Sequence, residues 1–157
     1  MTLSIHNLHF AYRDRDILRG LNLELPAHSL VAILGKNGSG KTTLLKNINR
    51  MLKPQAGTVL IDGRAVAEMN GREIARHFGY MPQQQTVAHC NVLEAVLLGK
   101  KMCSDGNQGP EELDEIEEVL RLVHLEGMAM RSVVELSGGE LQKVILARAL
   151  AQKPKVL

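Results

Sequence analysis

An α/β fold is predicted by three observations. A continuous apolar run at Leu30–Leu34 leads into a glycine-rich loop, a helix-forming stretch follows the loop, and another strand pattern follows the helix. Upstream, Leu21, Leu23 and Leu25 alternate with Asn22 and Glu24, the pattern of a half-buried strand in an antiparallel N-terminal β region. Leu30–Leu34 reads as a strand buried on both faces, the type found in a mostly parallel sheet. Gly35 to Gly40 is a loop, and Lys41 to about Met51 is a helix that Pro54 and Gly57 break. Thr58–Ile61 is a strand closed by an Asp62-Gly63 turn. Arg72–His77 is a short helix leading to a strand near Gly79–Met81.

The middle of the chain changes character, and residues 85–135 read as a helical insert in this α/β core. Val92–Leu98 is apolar and helical, and Cys103–Pro110 is a loop. Glu111–His124 is a helix, because Leu113, Ile116, Leu120 and Val123 recur at helical spacing. The acids from Glu111 to Glu118 fill its opening turns, a solvated face that suits the positive end of the helix dipole. Ser137 starts the next helix, whose apolar face is Leu141, Val144, Ile145 and Ala149. Pro154 ends it, and Lys155-Val156-Leu157 reads as the first residues of a further buried strand. The expected organisation is thus one incomplete domain over 1–157. It has a core at 1–84, a helical part at 85–135, and a last helix with the start of a strand at 136–157.

Composition excludes several classes. Apolar residues at 45% and charged residues at 23% are ordinary for a 157-residue globular chain. A formal charge of +2, aromatics at 3% and no Trp leave neither a basic stripe nor stacking platforms, so nucleic acid is not an expected partner. Cys90 and Cys103 have no metal-type or redox-type spacing and read as reduced thiols of a cytosolic protein. His6 and His9, three apart in a strand, are expected on opposite faces. There is no signal-peptide pattern and no apolar run long enough to span a bilayer, so a membrane role would come through a partner.

Two motifs carry chemistry. Gly35-Lys36-Asn37-Gly38-Ser39-Gly40-Lys41-Thr42 fits G-x-x-x-x-G-K-[ST]. Phosphate needs many short donors, and a glycine-rich turn exposes successive backbone N–H groups toward one point. The helix from Lys41 adds its unpaired N–H groups and dipole. Lys41 can reach the β- and γ-phosphates, the Thr42 hydroxyl can ligate Mg²⁺, and Thr43 can donate to the α-phosphate. The rival fingerprint G-x-G-x-x-G fails, because Thr43 stands where its third glycine would be. The second motif is Leu136-Ser137-Gly138-Gly139-Glu140. Its S-x-x-E spacing is that of a capping box, and a capped helix N-terminus is also an anion site.

The second motif, followed by Leu141-Gln142-Lys143-Val144-Ile145-Leu146-Ala147-Arg148, resembles the signature of ATP-binding-cassette (ABC) ATPases. The resemblance covers residues 2–157 and implies a nucleotide-hydrolase core built around the phosphate loop. Gly79-Tyr80-Met81-Pro82-Gln83 resembles the family's Q-loop, which implies that Gln83 lies near Mg²⁺ and the attacking water. By itself Gln83 reads as a polar residue after a strand-ending proline. Tyr12 stands where the family has an aromatic stacked on adenine, and by itself reads as an ordinary strand tyrosine. Lys36 and Glu140 replace the proline and glutamine of many relatives.

The resemblance implies ATP and Mg²⁺ as cofactors. The nucleotide ligands would be Tyr12, Gly35, Asn37, Gly38, Ser39, Gly40, Lys41, Thr42 and Thr43. Ser137, Gly138, Gly139 and Glu140 of a second subunit would close over them. It also implies a homodimer at the cytoplasmic face of the membrane, bound to integral-membrane permease subunits and served indirectly by a periplasmic or extracellular substrate-binding protein. Arg72–Arg76 and Asn91–Lys100 are most similar in texture to importers of iron siderophores, haem or cobalamin. The family's second acidic Mg²⁺ contact, catalytic carboxylate and switch histidine have no counterpart through Leu157, so a polypeptide of these residues is expected to turn over ATP poorly or not at all. Two further readings are a soluble ABC ATPase without a permease and a non-catalytic nucleotide-binding fragment.

Overall fold

The computed structural model describes residues 3–83, 89–103 and 110–157, which divide into two compact units, Met1–Asn70 and Gly71–Leu157. The first unit is built on a four-stranded antiparallel sheet in the order β2-β1-β3-β4. Its strands are β1 (Leu3–Tyr12), β2 (Arg15–Leu25), β3 (Ala56–Ile61) and the short β4 (Arg64–Ala65). The tight turn at Asp62 and Gly63, both with positive φ, joins β3 to β4.

Alternation along β1 changes phase partway. Leu3 and Ile5 are buried, and then Leu8 and Phe10 are. The extra residue is a bulge at Asn7, whose φ is 48° and beside which the β1–β2 register shifts. The Asn7 N–H, lost to the ladder, donates instead to the Asn22 Oδ1 at 2.8 Å. Gly57 on β3 makes room for the bulge, since a Cβ there would stand 2.2 Å from the Asn7 carbonyl oxygen. The bulge also corrects the expectation for the histidines. A three-residue step across one inserted residue leaves His6 and His9 on the same outer face, where His9 Nε2 meets Asn7 Oδ1 at 3.1 Å.

Helix α1 (Lys41–Ile48) buries Thr43, Leu44, Asn47 and Ile48. It ends three residues earlier than expected, at Asn49 and at Arg50 in the left-handed region, and the Arg50 guanidinium donates to the Met69 carbonyl. The run Leu30–Leu34 departs most from expectation. It joins no strand among the described residues, and Leu30 and Leu34 are 101% and 90% exposed. A strand covered on both faces needs neighbours on both edges, and the antiparallel sheet of this unit does not include it.

The second unit is helical. Its elements are α2 (Gly71–His77), α3 (Val92–Lys101), α4 (Pro110–Leu122) and α5 (Gly138–Leu150), with single 3₁₀ turns at Glu126–Met128 and Val133–Glu135. Val92, Val96, Ile116, Leu120, Leu125, Val144 and Ala147 form its core. Helices α3 and α5 approach closely at Gly99, where a Cβ would lie 2.2 Å from the Arg148 carbonyl oxygen. Glu115 on α4 pairs with Lys100 on α3 and with Lys153 just beyond α5. The strands expected near residues 79–81 and 155–157 reduce to one parallel bridge, Phe78 to Val156, flanked by Gly79 N–H donating to the Val156 carbonyl at 2.8 Å. The loop expected over Cys103–Pro110 lies, apart from its ends, outside the described residues.

Candidate functional site

The phosphate loop leads directly into α1. Gly38 and Gly40 take φ of 81° and 94°, values that L side chains rarely adopt. Nothing lies within 4 Å of where a Cβ of Gly38 would be, so the turn is open to an approaching group. At Gly40 the glycine serves packing instead. A Cβ there would sit 2.9 Å from Ile17 Cγ2, so the loop can close against β2 only without a side chain. The turn is held by Ser39 N–H donating to the Lys36 carbonyl at 3.2 Å, and α1 engages with Leu44 N–H donating to the Gly40 carbonyl at 2.8 Å.

No side chain caps α1, and its first turn carries no acidic residue. Its leading N–H groups and positive dipole end are therefore left for an external anion. Lys41 folds back over the loop, with its ammonium donating to the Gly35 carbonyl at 2.7 Å and the Lys36 carbonyl at 2.8 Å. The loop thus fits a phosphate chain on three counts: a turn open at Gly38, an uncapped helix start and an ammonium parked at the rim. Thr42 is exposed beside it and can offer its hydroxyl to a divalent cation, whereas Thr43 is buried on the inner face of α1. Asn37 and Ser39 are exposed on the turn. In the same unit, Tyr12 ends β1 and is 46% exposed as a residue, its ring held edge-on by Phe10, centroids 4.9 Å apart at 83°. That contact steadies the ring while leaving it partly open.

Gln83 and the Ser137 turn belong to the second unit. Gln83 is exposed, next to Pro82. Ser137 is the N-cap of α5 and forms the capping box with Glu140 that the sequence predicts. The Glu140 carboxylate accepts from the Ser137 N–H and from the Ser137 hydroxyl, both at 2.7 Å. The Glu140 N–H points back at the Ser137 Oγ at 3.4 Å. These bonds favour the charged form, so Ser137 chiefly, with help from Arg131 and Lys143, holds the Glu140 carboxyl below the usual carboxylate range. Gly138 and Gly139 are exposed, with nothing near a Cβ position.

Several contributors go unread in the sequence. The Gly35 and Lys36 carbonyls that park Lys41 could not be foreseen, because backbone acceptors leave no residue signature. Ile17, which sets the Gly40 packing, gave no signal either. A second capping box, Asn91 with Glu94 at the start of α3, did carry one in its N-x-x-E spacing. Among the described residues no helix is long and apolar enough to cross a membrane.

Comparison with known proteins gives a consistent family. Residues 18–157 match the family described as ABC transporter. An uncharacterised ABC transporter ATP-binding protein of Methanocaldococcus jannaschii is 45% identical over 157 residues, covering all of this chain and 62% of the relative. The probable siderophore transport system ATP-binding protein of Bacillus subtilis is 33% identical, covering 99% of this chain and 58% of the relative. A sulfate/thiosulfate import ATP-binding protein of Synechocystis is 35% identical, covering this chain fully and 43% of the relative. In fold, a solved ATP binding subunit of an ABC transporter superimposes with a TM-score of 0.84 at 24% identity, over 98% of this chain and 63% of that one. The chain therefore spans 43% to 62% of the length of these curated relatives.

Proposed function

Because this chain belongs to the ABC transporter ATPase family, we propose that it is the nucleotide-binding part of an ATP-hydrolysing subunit that energises transport through a membrane permease. The observation that carries this reading is the open glycine turn at an uncapped helix start, with Lys41 held at its rim. The carbonyls of Gly35 and Lys36 keep the ammonium where phosphate oxygens would arrive. The lysine exchanges two carbonyl acceptors for charged ones, and little ordering is left to do on binding. Thr42 would hold Mg²⁺, which would supply charge neutralisation across the phosphates. Tyr12 would stack on the base, and Thr43, whose hydroxyl is buried, would contribute at most from the base of the loop.

In this reading the Ser137–Glu140 turn of a second copy closes over the nucleotide, and ATP joins the two copies until hydrolysis removes the bridging charge. The core at 1–84, the helical part at 85–135 and the terminal stretch at 136–157 would then divide nucleotide binding from coupling to the permease. The subunit would sit on the cytoplasmic face of the membrane through that permease. The proposed cargo is an iron siderophore, haem or cobalamin; the siderophore-system relative supports the first of these, while the sulfate/thiosulfate relative shows that similarity at this level spans different cargoes. The test is Lys41→Ala. Titration with a fluorescent ATP analogue should show affinity falling by at least tenfold in a folded variant, and unchanged affinity would remove the reading.

A further inference from the structure

The phosphate loop carries a second lysine that the nucleotide reading leaves without a task. Lys36 is exposed at the start of the turn, and its ammonium has no acidic partner among the described residues. Its backbone is fixed, because the Lys36 carbonyl accepts from the Ser39 N–H at 3.2 Å and from the Lys41 ammonium at 2.8 Å. The second of these bonds bounds the distance between the two cations. A carbonyl oxygen lies about 2.4 Å from its own Cα and an extended lysine stem reaches about 6 Å, so the Lys36 ammonium stays within about 12 Å of the Lys41 ammonium in any rotamer. Phosphate oxygens would arrive at the Lys41 ammonium, so the Lys36 charge is close to them wherever its stem points.

The surroundings leave that charge uncompensated. No Asp or Glu occurs between Glu24 and Asp62, a stretch that holds Lys36, Lys41, Lys46, Arg50 and Lys53. Helix α1 presents its positive dipole end to the same turn, with no acid in its first turn. The loop therefore sits in a positive potential that an anion relieves more the higher its charge.

We propose that Lys36 is a specificity-determining residue of the phosphate loop: its unpaired charge favours a nucleoside triphosphate over the diphosphate, acting at a distance rather than through a contact of fixed geometry. This rests on the nucleotide reading above and deepens it, from which residues hold the phosphates to which phosphate chain is preferred. Two unit charges about 10 Å apart in water interact strongly enough to change an affinity about twofold. Mg-ATP carries one negative charge more than Mg-ADP, so the lysine raises the preference for the triphosphate by about twofold. Only charge at position 36 is needed, because the carbonyl that parks Lys41 belongs to the backbone and is kept whatever the side chain.

The experiment titrates fluorescent analogues of ATP and ADP, with Mg²⁺, into the full chain as wild type, Lys36→Gln, Lys36→Arg and Lys41→Ala. It is run at about 10 mM and about 1 M salt, where charges are screened over about 30 Å and about 3 Å. At low salt, Lys36→Gln should bind the ATP analogue about fourfold and the ADP analogue about twofold more weakly than wild type. Lys36→Arg should bind both as wild type does. At high salt the losses should close, because screening acts on charge and not on fit. Urea unfolding midpoints of wild type and both Lys36 variants should coincide, since the side chain exchanged is exposed. Unchanged ATP affinity in Lys36→Gln at low salt overturns the proposal. So does an equal loss for the two nucleotides, a loss that high salt leaves in place, the same loss in Lys36→Arg, or a lowered unfolding midpoint in Lys36→Gln. Lys41→Ala separates the two failures: if it binds the ATP analogue as wild type does, or if wild type binds neither analogue, the nucleotide reading itself falls.

Discussion

At the scale of single residues, the phosphate loop depends on backbone freedom more than on side-chain contacts. Gly40 combines a φ of 94° with a Cβ position 2.9 Å from Ile17 Cγ2. Gly40→Ala therefore meets both dihedral strain and a clash, and should cost roughly 1–3 kcal/mol in urea unfolding. It should weaken ATP binding as well, since the loop can no longer close on β2. Glu140 is sensitive to acid for a different reason. Its folded pKa is depressed by the Ser137 bonds, so its contribution to the α5 cap is present above the ordinary carboxylate value and is lost as pH falls through the lower folded value. In an NMR titration, the Ser137 amide proton should hold its shift through mildly acid pH and move only below the usual carboxylate range. Movement near neutrality would mean that the Ser137–Glu140 bonds do not form.

At the scale of elements, what could be read from sequence follows from how local each cause is. The helices were legible because periodicity and caps are written in neighbouring residues: Ile116 and Leu120 marked α4, and Ser137 with Glu140 marked the start of α5. The phosphate loop was legible because its chemistry demands glycines at fixed spacing. The bulge at Asn7 was not, since it depends on Gly57 and Asn22, distant in sequence. Leu30–Leu34 misled because an apolar run states a need for cover without naming the partner that gives it. Its exposure has a consequence. Leu30→Lys with Leu34→Lys removes no buried surface, so unfolding free energy should stay within about 0.5 kcal/mol. Binding of a hydrophobic dye and self-association in the absence of nucleotide should both fall. At the α3–α5 crossing the opposite holds. Gly99→Ala drives a methyl onto the Arg148 carbonyl and should cost roughly 1–3 kcal/mol, read as a lower melting temperature.

At the scale of the whole molecule, each of the two units has a hydrophobic core of its own. One lies in Met1–Asn70 around Ile5, Leu8, Val59 and Ile61, and the other in Gly71–Leu157 around Val96, Ile116, Leu120 and Val144. The phosphate loop lies wholly within the first unit, and so do the groups that hold it: Ile17, Lys36, Lys41 and the inner face of α1. A ligand that binds only the folded form stabilises what it binds, by about 2.7 kcal/mol at a hundred times its Kd. Hydrogen exchange with and without saturating Mg-ATP should then show added protection concentrated in α1, the loop and β2. Amides of α3 and α4 should exchange as before at concentrations too low for association. Protection rising equally across both units would show that they open as one cooperative body. No added protection in α1 would count directly against the loop as the nucleotide's seat.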